Sequence, residues 1–159
     1  MKKKLVIVVA LATVLSTGTV FAGNFGIGVH GGFGIGGIGG GAGLNLGFGD
    51  AVFVYVDALG LGSATYISGA VDFVSILRTE FLDTLTFYIR AGVGAAFWGF
   101  DDTFGLAAAA RLPIGLSWRP ISLLEVFLQV VPQIGVQITP DVDLWTNFFG
   151  GNLGLRLWF

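Results

Sequence analysis

The chain has no cysteine, a single histidine and, after residue 4, no lysine. Without cysteine, neither a disulfide framework nor a thiolate metal site can hold it together. With His30 alone, a histidine-cysteine metal cluster is excluded as well. Charge is scarce, at 11% of residues, where an ordinary soluble domain carries about 25%. Lys2, Lys3 and Lys4 aside, five arginines stand against ten acids, a net charge near −5. A phosphate-binding surface needs a basic patch, so nucleic acid is excluded as a partner. Long apolar runs are missing too. Past the first 22 residues, nothing approaches the ~18 uninterrupted apolar residues of a membrane helix.

What the chain does have is apolarity, at 54% of residues, and 27 glycines. Its start, "MKKKLVIVVALATVLSTGTVFAG", combines a basic stretch at Lys2–Lys4 with an apolar core from Leu5 to Leu15. Val20-Phe21-Ala22 then gives a small-x-small site. This predicts an export signal over 1–22, cleaved after Ala22, with a mature domain over 23–159. An exported, very apolar chain without membrane helices predicts an all-β fold, a transmembrane β-barrel.

The glycine-rich stretch "GNFGIGVHGGFGIGGIGGGAGLNLGFGD" contains G-x-G-x-x-G twice, at Gly26, Gly28, Gly31 and at Gly32, Gly34, Gly37. A dinucleotide loop needs a helix directly after its glycines, and this stretch is a very poor helix former. At period two it reads instead as a hairpin that turns around Gly36–Gly41. Phe25, Ile27, Val29 and Phe33, then Leu44, Leu46 and Phe48, face out, while glycines, His30 and Asn45 face in.

Gly49-Asp50 is a tight-turn signal, and past it the same alternation predicts six more strands. Phe53, Tyr55 and Asp57 face in on the third, and Ser68, Ala70 and Asp72 on the fourth, which ends in a turn at "LRTEFLDT". Thr86, Tyr88, Arg90 and Gly92 face in on the fifth. Ala107, Ala109, Arg111, Gly115 and Ser117 do so on the sixth, which Arg119-Pro120 breaks. Glu125, Phe127, Gln129 and Gln133 face in on the seventh, followed by a loop at "TPDVD", and Asn152, Gly154, Arg156 and Trp158 on the eighth. Pro113 and Pro132 fall inside strands six and seven, where each costs a ladder hydrogen bond, so a bulge or strand end is expected at each. The expectation is an eight-stranded antiparallel up-and-down barrel with both ends of the mature chain on one side.

The charges decide the polarity of the wall. Asp57, Asp72, Arg90, Arg111, Glu125 and Arg156 all fall on the face opposite the large apolar residues. On the lipid side an arginine at mid-bilayer costs ~2–4 kcal/mol. Three acids and three arginines inside a narrow barrel predict an interior ion-pair network, with Gln129 among them.

These features together resemble the small eight-stranded outer-membrane barrels, the group that includes the OmpA transmembrane domain, OmpX and OmpW. The resemblance spans the mature chain and rests on the signal, the eight alternating segments and the ending "GNLGLRLWF". In that group such an ending is read by the outer-membrane barrel-assembly machinery. The resemblance therefore implies that Leu153, Leu155, Leu157 and Phe159 form the assembly signal. It also implies residence in the outer membrane of a diderm bacterium as a monomer, with outer-membrane lipid as a partner and no cofactor. The short loops between strands depart from the long polar projections of the OmpX type.

No catalytic role is expected. His30 and Ser68 could suggest a lipid hydrolase, but that chemistry belongs on the lipid-exposed side and His30 faces in. Asp101-Asp102 and Asp141/Asp143 could hold a divalent cation, although solvated loop tips are the simpler reading. The leading expectation is a structural or surface-interaction barrel. A porin-like narrow channel for small or hydrophobic solutes is the alternative, and a surface antigen binding a host protein is the third.

Overall fold

The computed structural model describes residues 24–33, 41–61, 64–100, 103–147 and 150–159. The export signal, the turn before Gly41 and the Asp101-Asp102 pair lie outside the described residues. Within them there is no helix. The strands are β1 (Phe25–Phe33), β2 (Ala42–Phe48), β3 (Val52–Leu61), β4 (Ala64–Leu82), β5 (Leu85–Phe100), β6 (Thr103–Arg111), β7 (Ile114–Ile121), β8 (Leu124–Val130), β9 (Gln133–Thr139), β10 (Asp143–Asn147) and β11 (Gly151–Trp158).

All pairings are antiparallel, and they close on themselves: β1-β2-β3-β4-β5-β7-β8-β11 and back to β1. The remaining three segments form a second tier. β5 pairs β7 through residues 85–89 and β6 through residues 92–100, so β6 and β7 are two halves of one wall strand. β9 and β8 are likewise halves of the next, as are β10 and β11 of the last. The fold is therefore all-β, a closed eight-stranded antiparallel barrel. Where the chain begins and ends its barrel, Phe25 and Phe159 exchange two backbone hydrogen bonds of 3.2 and 2.8 Å.

The two predicted proline breaks are present and have a common cause. Proline has no N–H to give the ladder, but its carbonyl still accepts. Arg90 N donates to the Pro113 carbonyl at 2.9 Å, and Leu112 N to the Pro132 carbonyl at 2.9 Å. Val131 N donates to Gly150 at 2.7 Å, so the three interruptions lie side by side as a seam. The in-out phase survives it, since Pro113 is buried between half-buried Leu112 and Ile114.

Three turn assignments need correction. "LRTEFLDT" is not a turn: β4 continues to Leu82, pairs Thr79 with Phe87 and Glu80 with Thr86, and reverses only at Asp83-Thr84. Three register shifts in β4 carry the pairing past the polar residues that mimic a loop. Arg119-Pro120 does not end its strand, because β7 reaches Ile121 across a register shift beginning at Trp118. Asp143, expected in the last loop, opens β10 opposite Gln137. The Gly49-Asp50 turn is as expected, and Gly49 sits at φ 59°, in the left-handed region that favours glycine.

The alternation sets which side each residue faces. Val29, Val56, Val93, Leu128 and Leu155 are exposed on the outer wall. Phe53, Tyr55, Tyr88, Phe127 and Trp158 are buried inside with the polar residues. A polar, packed interior within an apolar shell is the polarity a bilayer requires.

Candidate functional site

The interior is the chemically distinctive part of the molecule, and it begins at the end where the chain termini meet. Arg78 and Arg119 both pair with Asp50 of the β2–β3 turn, Arg119 Nη2 at 3.2 Å from Oδ1. Arg119 also reaches Glu125 Oε2 at 3.6 Å, and its guanidinium lies 4.3 Å from the Trp158 ring centre. Glu125 is 2% exposed and accepts from three further groups: Ser117 Oγ at 2.6 Å, Arg156 Nη1 at 2.8 Å and Trp158 Nε1 at 2.6 Å. A buried carboxylate needs such compensation for its lost hydration. β8 and β11 supply it directly, because Glu125 and Arg156 are register partners.

Above this cluster, Arg156 Nε donates to Asn45 Oδ1 at 2.8 Å, and the guanidinium lies 4.6 Å from the Phe53 ring centre and 4.9 Å from that of Phe127. Arg111 pairs with Asp72, Nε standing 2.9 Å from Oδ1 and Nη2 donating to Oδ2 at 3.5 Å. Tyr88 donates to Gln129 Oε1 at 2.9 Å. Toward the other end, His30 Nε2 lies 2.6 Å from Asp57 Oδ1, and Ser68 donates to Asp57 Oδ2 at 3.2 Å.

All seven interior residues picked out in the sequence, Asp57, Asp72, Arg90, Arg111, Glu125, Gln129 and Arg156, are buried inside the barrel. Their pairing differs from three acid–arginine pairs. Asp57 takes His30 rather than an arginine. Arg90 lies between aromatic rings, 3.6 Å from the Phe53 centre and 3.9 Å from that of Tyr88, where cation–π attraction replaces a carboxylate. Asp50, Arg78 and Arg119 join the network although the sequence reading left them in turns. Strand parity beyond Ser117 would have placed Arg119 inside, but nothing local marks Asp50.

Ser68 and His30 both bond Asp57, so the carboxylate stands between them and the histidine is not poised to activate the hydroxyl. Among the described residues, no three His, Asp or Glu side chains are grouped as a metal site. Leu153, Leu155, Leu157 and Phe159 all point outward and are exposed.

Gly26, Gly47, Gly115 and Gly154 answer to bulky neighbours, whereas Gly28, Gly43 and Gly92 lie against the backbone of the next strand. A Cβ on Gly47 would stand 2.7 Å from the Trp158 ring, and one on Gly26 2.5 Å from Arg156 Cδ. One on Gly115 would meet the Tyr88 hydroxyl at 2.7 Å, and one on Gly154 the Phe127 ring at 2.5 Å. In this half the missing side chains make room for arginine and aromatic rings. The second tier is lined differently, by Ala96, Ala107, Ala109 and Gly135, with Tyr66 and Trp98 packed on Ala96 and Ala109.

No family model matches the chain, and no curated protein matches it. The crystal structure of Ail, the attachment invasion locus protein of Yersinia pestis, is similar with a TM-score of 0.35 and 16% identity. That match covers 86% of this chain and 95% of Ail. At that score the likeness carries no weight, and the barrel rests on its own strand pairing.

Proposed function

We propose that the protein is an integral outer-membrane barrel with a structural or surface-interaction role, neither conducting solute nor catalysing a reaction. The observation that carries this reading is a filled interior inside an apolar shell. Arg156, Trp158, Tyr88 and Phe127 occupy the space that the glycines leave free, and Glu125 ties Arg156 and Trp158 to the neighbouring strand. Eight strands enclose an interior that side chains can fill, as they do here. Kinship with OmpA-, OmpX- or OmpW-like barrels, export with cleavage after Ala22 and assembly as a monomer belong to the same proposal. Planar-bilayer recording on the purified, refolded protein tests it. No discrete conductance is expected, and stepwise conductance would overturn it.

A narrow channel for small or hydrophobic solutes is the second reading, favoured by one observation: the small lining that Ala96, Ala107, Ala109 and Gly135 give the second tier. In that case Arg111→Glu, which replaces the cation beside Asp72, changes the gating of whatever conductance is recorded.

A further inference from the structure

Interior polar atoms without a protein partner cluster around Tyr55. They are the Tyr55 hydroxyl, Asn45 Nδ2, Arg111 Nη1, Arg156 Nη2 and His30 Nδ1, together with the Arg111 Nε and Asp72 Oδ1 atoms that face each other at 2.9 Å. Setting that ion-paired couple aside, four of the five are donors. His30 Nδ1 is the exception: with Nε2 directed at Asp57, the neutral ring has its lone pair there.

These groups are neighbours. Asn45 and Tyr55 are register partners on β2 and β3 and face the same way. Arg156 is bonded to Asn45. The Arg111 guanidinium lies 5.1 Å from the Tyr55 ring centre, and the His30 ring packs edge-on at 5.4 Å. Small residues line the wall beside Tyr55. Tyr55 is in register with Ala70, Ala70 with Gly94 and Gly94 with Ala109, while Asn45 is in register with Gly28. The belt at this level is thus built from small residues except where the donors stand.

Buried donors without acceptors are costly, and the deficit here has one sign. A water molecule accepts two hydrogen bonds but must also place two protons, so it leaves the excess of donors unchanged, and beside the donors only His30 Nδ1 and the Tyr55 oxygen can receive them. An anion accepts from every donor and has no proton of its own to place. We propose that the barrel binds a small monovalent anion of halide size at mid-lumen, on the Tyr55 hydroxyl, Asn45 Nδ2, Arg111 Nη1 and Arg156 Nη2. This goes beyond the proposed role and holds whether or not the barrel conducts.

The test compares thermal unfolding of the refolded barrel in sodium chloride or sodium bromide with sodium gluconate at equal ionic strength. A saturable rise in Tm of a few degrees is expected with halide alone, since a ligand bound only by the folded state stabilises it by mass action. Tyr55→Phe removes the hydroxyl and should abolish the halide dependence while heat-modifiable gel mobility persists. Crystals grown in sodium bromide should show an anomalous peak beside the Tyr55 hydroxyl. Equal Tm in bromide and gluconate, or halide dependence that survives in Tyr55→Phe, overturns the site. If that variant does not fold, the bromide crystals decide: a lumen without the peak overturns the proposal.

Discussion

Replacing Arg156 by methionine isolates the contribution of one interior charge. Methionine has comparable reach and can keep the contacts with Phe53 and Phe127, so the loss is chiefly electrostatic. Arg156 is 1% exposed, holds Glu125 Oε2 at 2.8 Å and Asn45 Oδ1 at 2.8 Å. Removing one partner of a buried pair costs ~3–5 kcal/mol, because the surviving charge stays buried. Glu125 keeps Ser117, Trp158 and the more distant Arg119, which argues for the lower limit of about 3 kcal/mol. The Asn45 oxygen left without its donor adds about 1 kcal/mol. The expected loss is therefore ~4 kcal/mol, read from urea titration of the barrel refolded in lipid vesicles. Glu125→Gln in the same background should cost less than in the native chain, with a coupling of ~1–3 kcal/mol. A loss below ~1 kcal/mol for Arg156→Met, or strict additivity in the double variant, would refute the claim that this pair is buried and mutually dependent.

Val93, midway along β5 and 52% exposed, faces the proposed lipid. Val93→Arg should cost ~2–4 kcal/mol in vesicles, and an unchanged urea midpoint would argue that the outer wall meets water. Gly28 and Gly31 make a controlled pair, since a Cβ on Gly28 would collide with the Leu155 carbonyl and Asn45 whereas one on Gly31 meets open space. Gly28→Ala should lose ~1–3 kcal/mol and Gly31→Ala stay within ~0.5 kcal/mol; equal effects would remove the steric account of the inward glycines. Phe159 holds the barrel closed through its backbone, and its side chain is 70% exposed. Phe159→Ala should therefore shift refolding stability by no more than ~0.5 kcal/mol while sharply lowering the folded yield in cells, and an unchanged cellular yield would sink the assembly-signal reading.

Period-two alternation made most of the wall legible. A one-residue slip would turn Asp57, Asp72 and Arg156 toward lipid, so the apolar and charged sets reinforce one register. Strand ends were less legible, because the rules for turns use composition while β4 is held by pairing. "LRTEFLDT" is polar enough for a loop, yet Thr79 and Glu80 find partners in Phe87 and Thr86. Within the interior, parity told which side chains enter but not which of them meet. His30 and Asp57 are 27 residues apart and Arg156 and Asn45 are 111 apart, so their contacts follow from strand order and stagger around the closed wall. Arg90 shows the limit of counting charges. Its nearest rings, Phe53 and Tyr88, come from β3 and from two positions earlier on β5, and a balance of three against three contains no hint of them.

The proline seam gives this division a structural cause. Pro113 and Pro132 place their interruptions beside Gly150, so three wall strands change segment at one level. On the side of the chain termini, the wall presents glycine beside arginine, tyrosine and tryptophan, and the Glu125–Arg156 pair joins adjacent strands inside it. On the other side it presents alanine and glycine at Ala96, Ala107, Ala109 and Gly135, with Tyr66 and Trp98 packed on Ala96 and Ala109. Interior charges are confined by this arrangement to levels where a partner is available: Asp72 meets Arg111 just below the end of β6, and Asp57 meets His30 within β1 and β3. The anion proposed at Tyr55 falls at the boundary, where the arginines of the filled half face the small residues of the other. There the donors without a protein acceptor outnumber the lone pairs that face them, which is the condition that favours an anion.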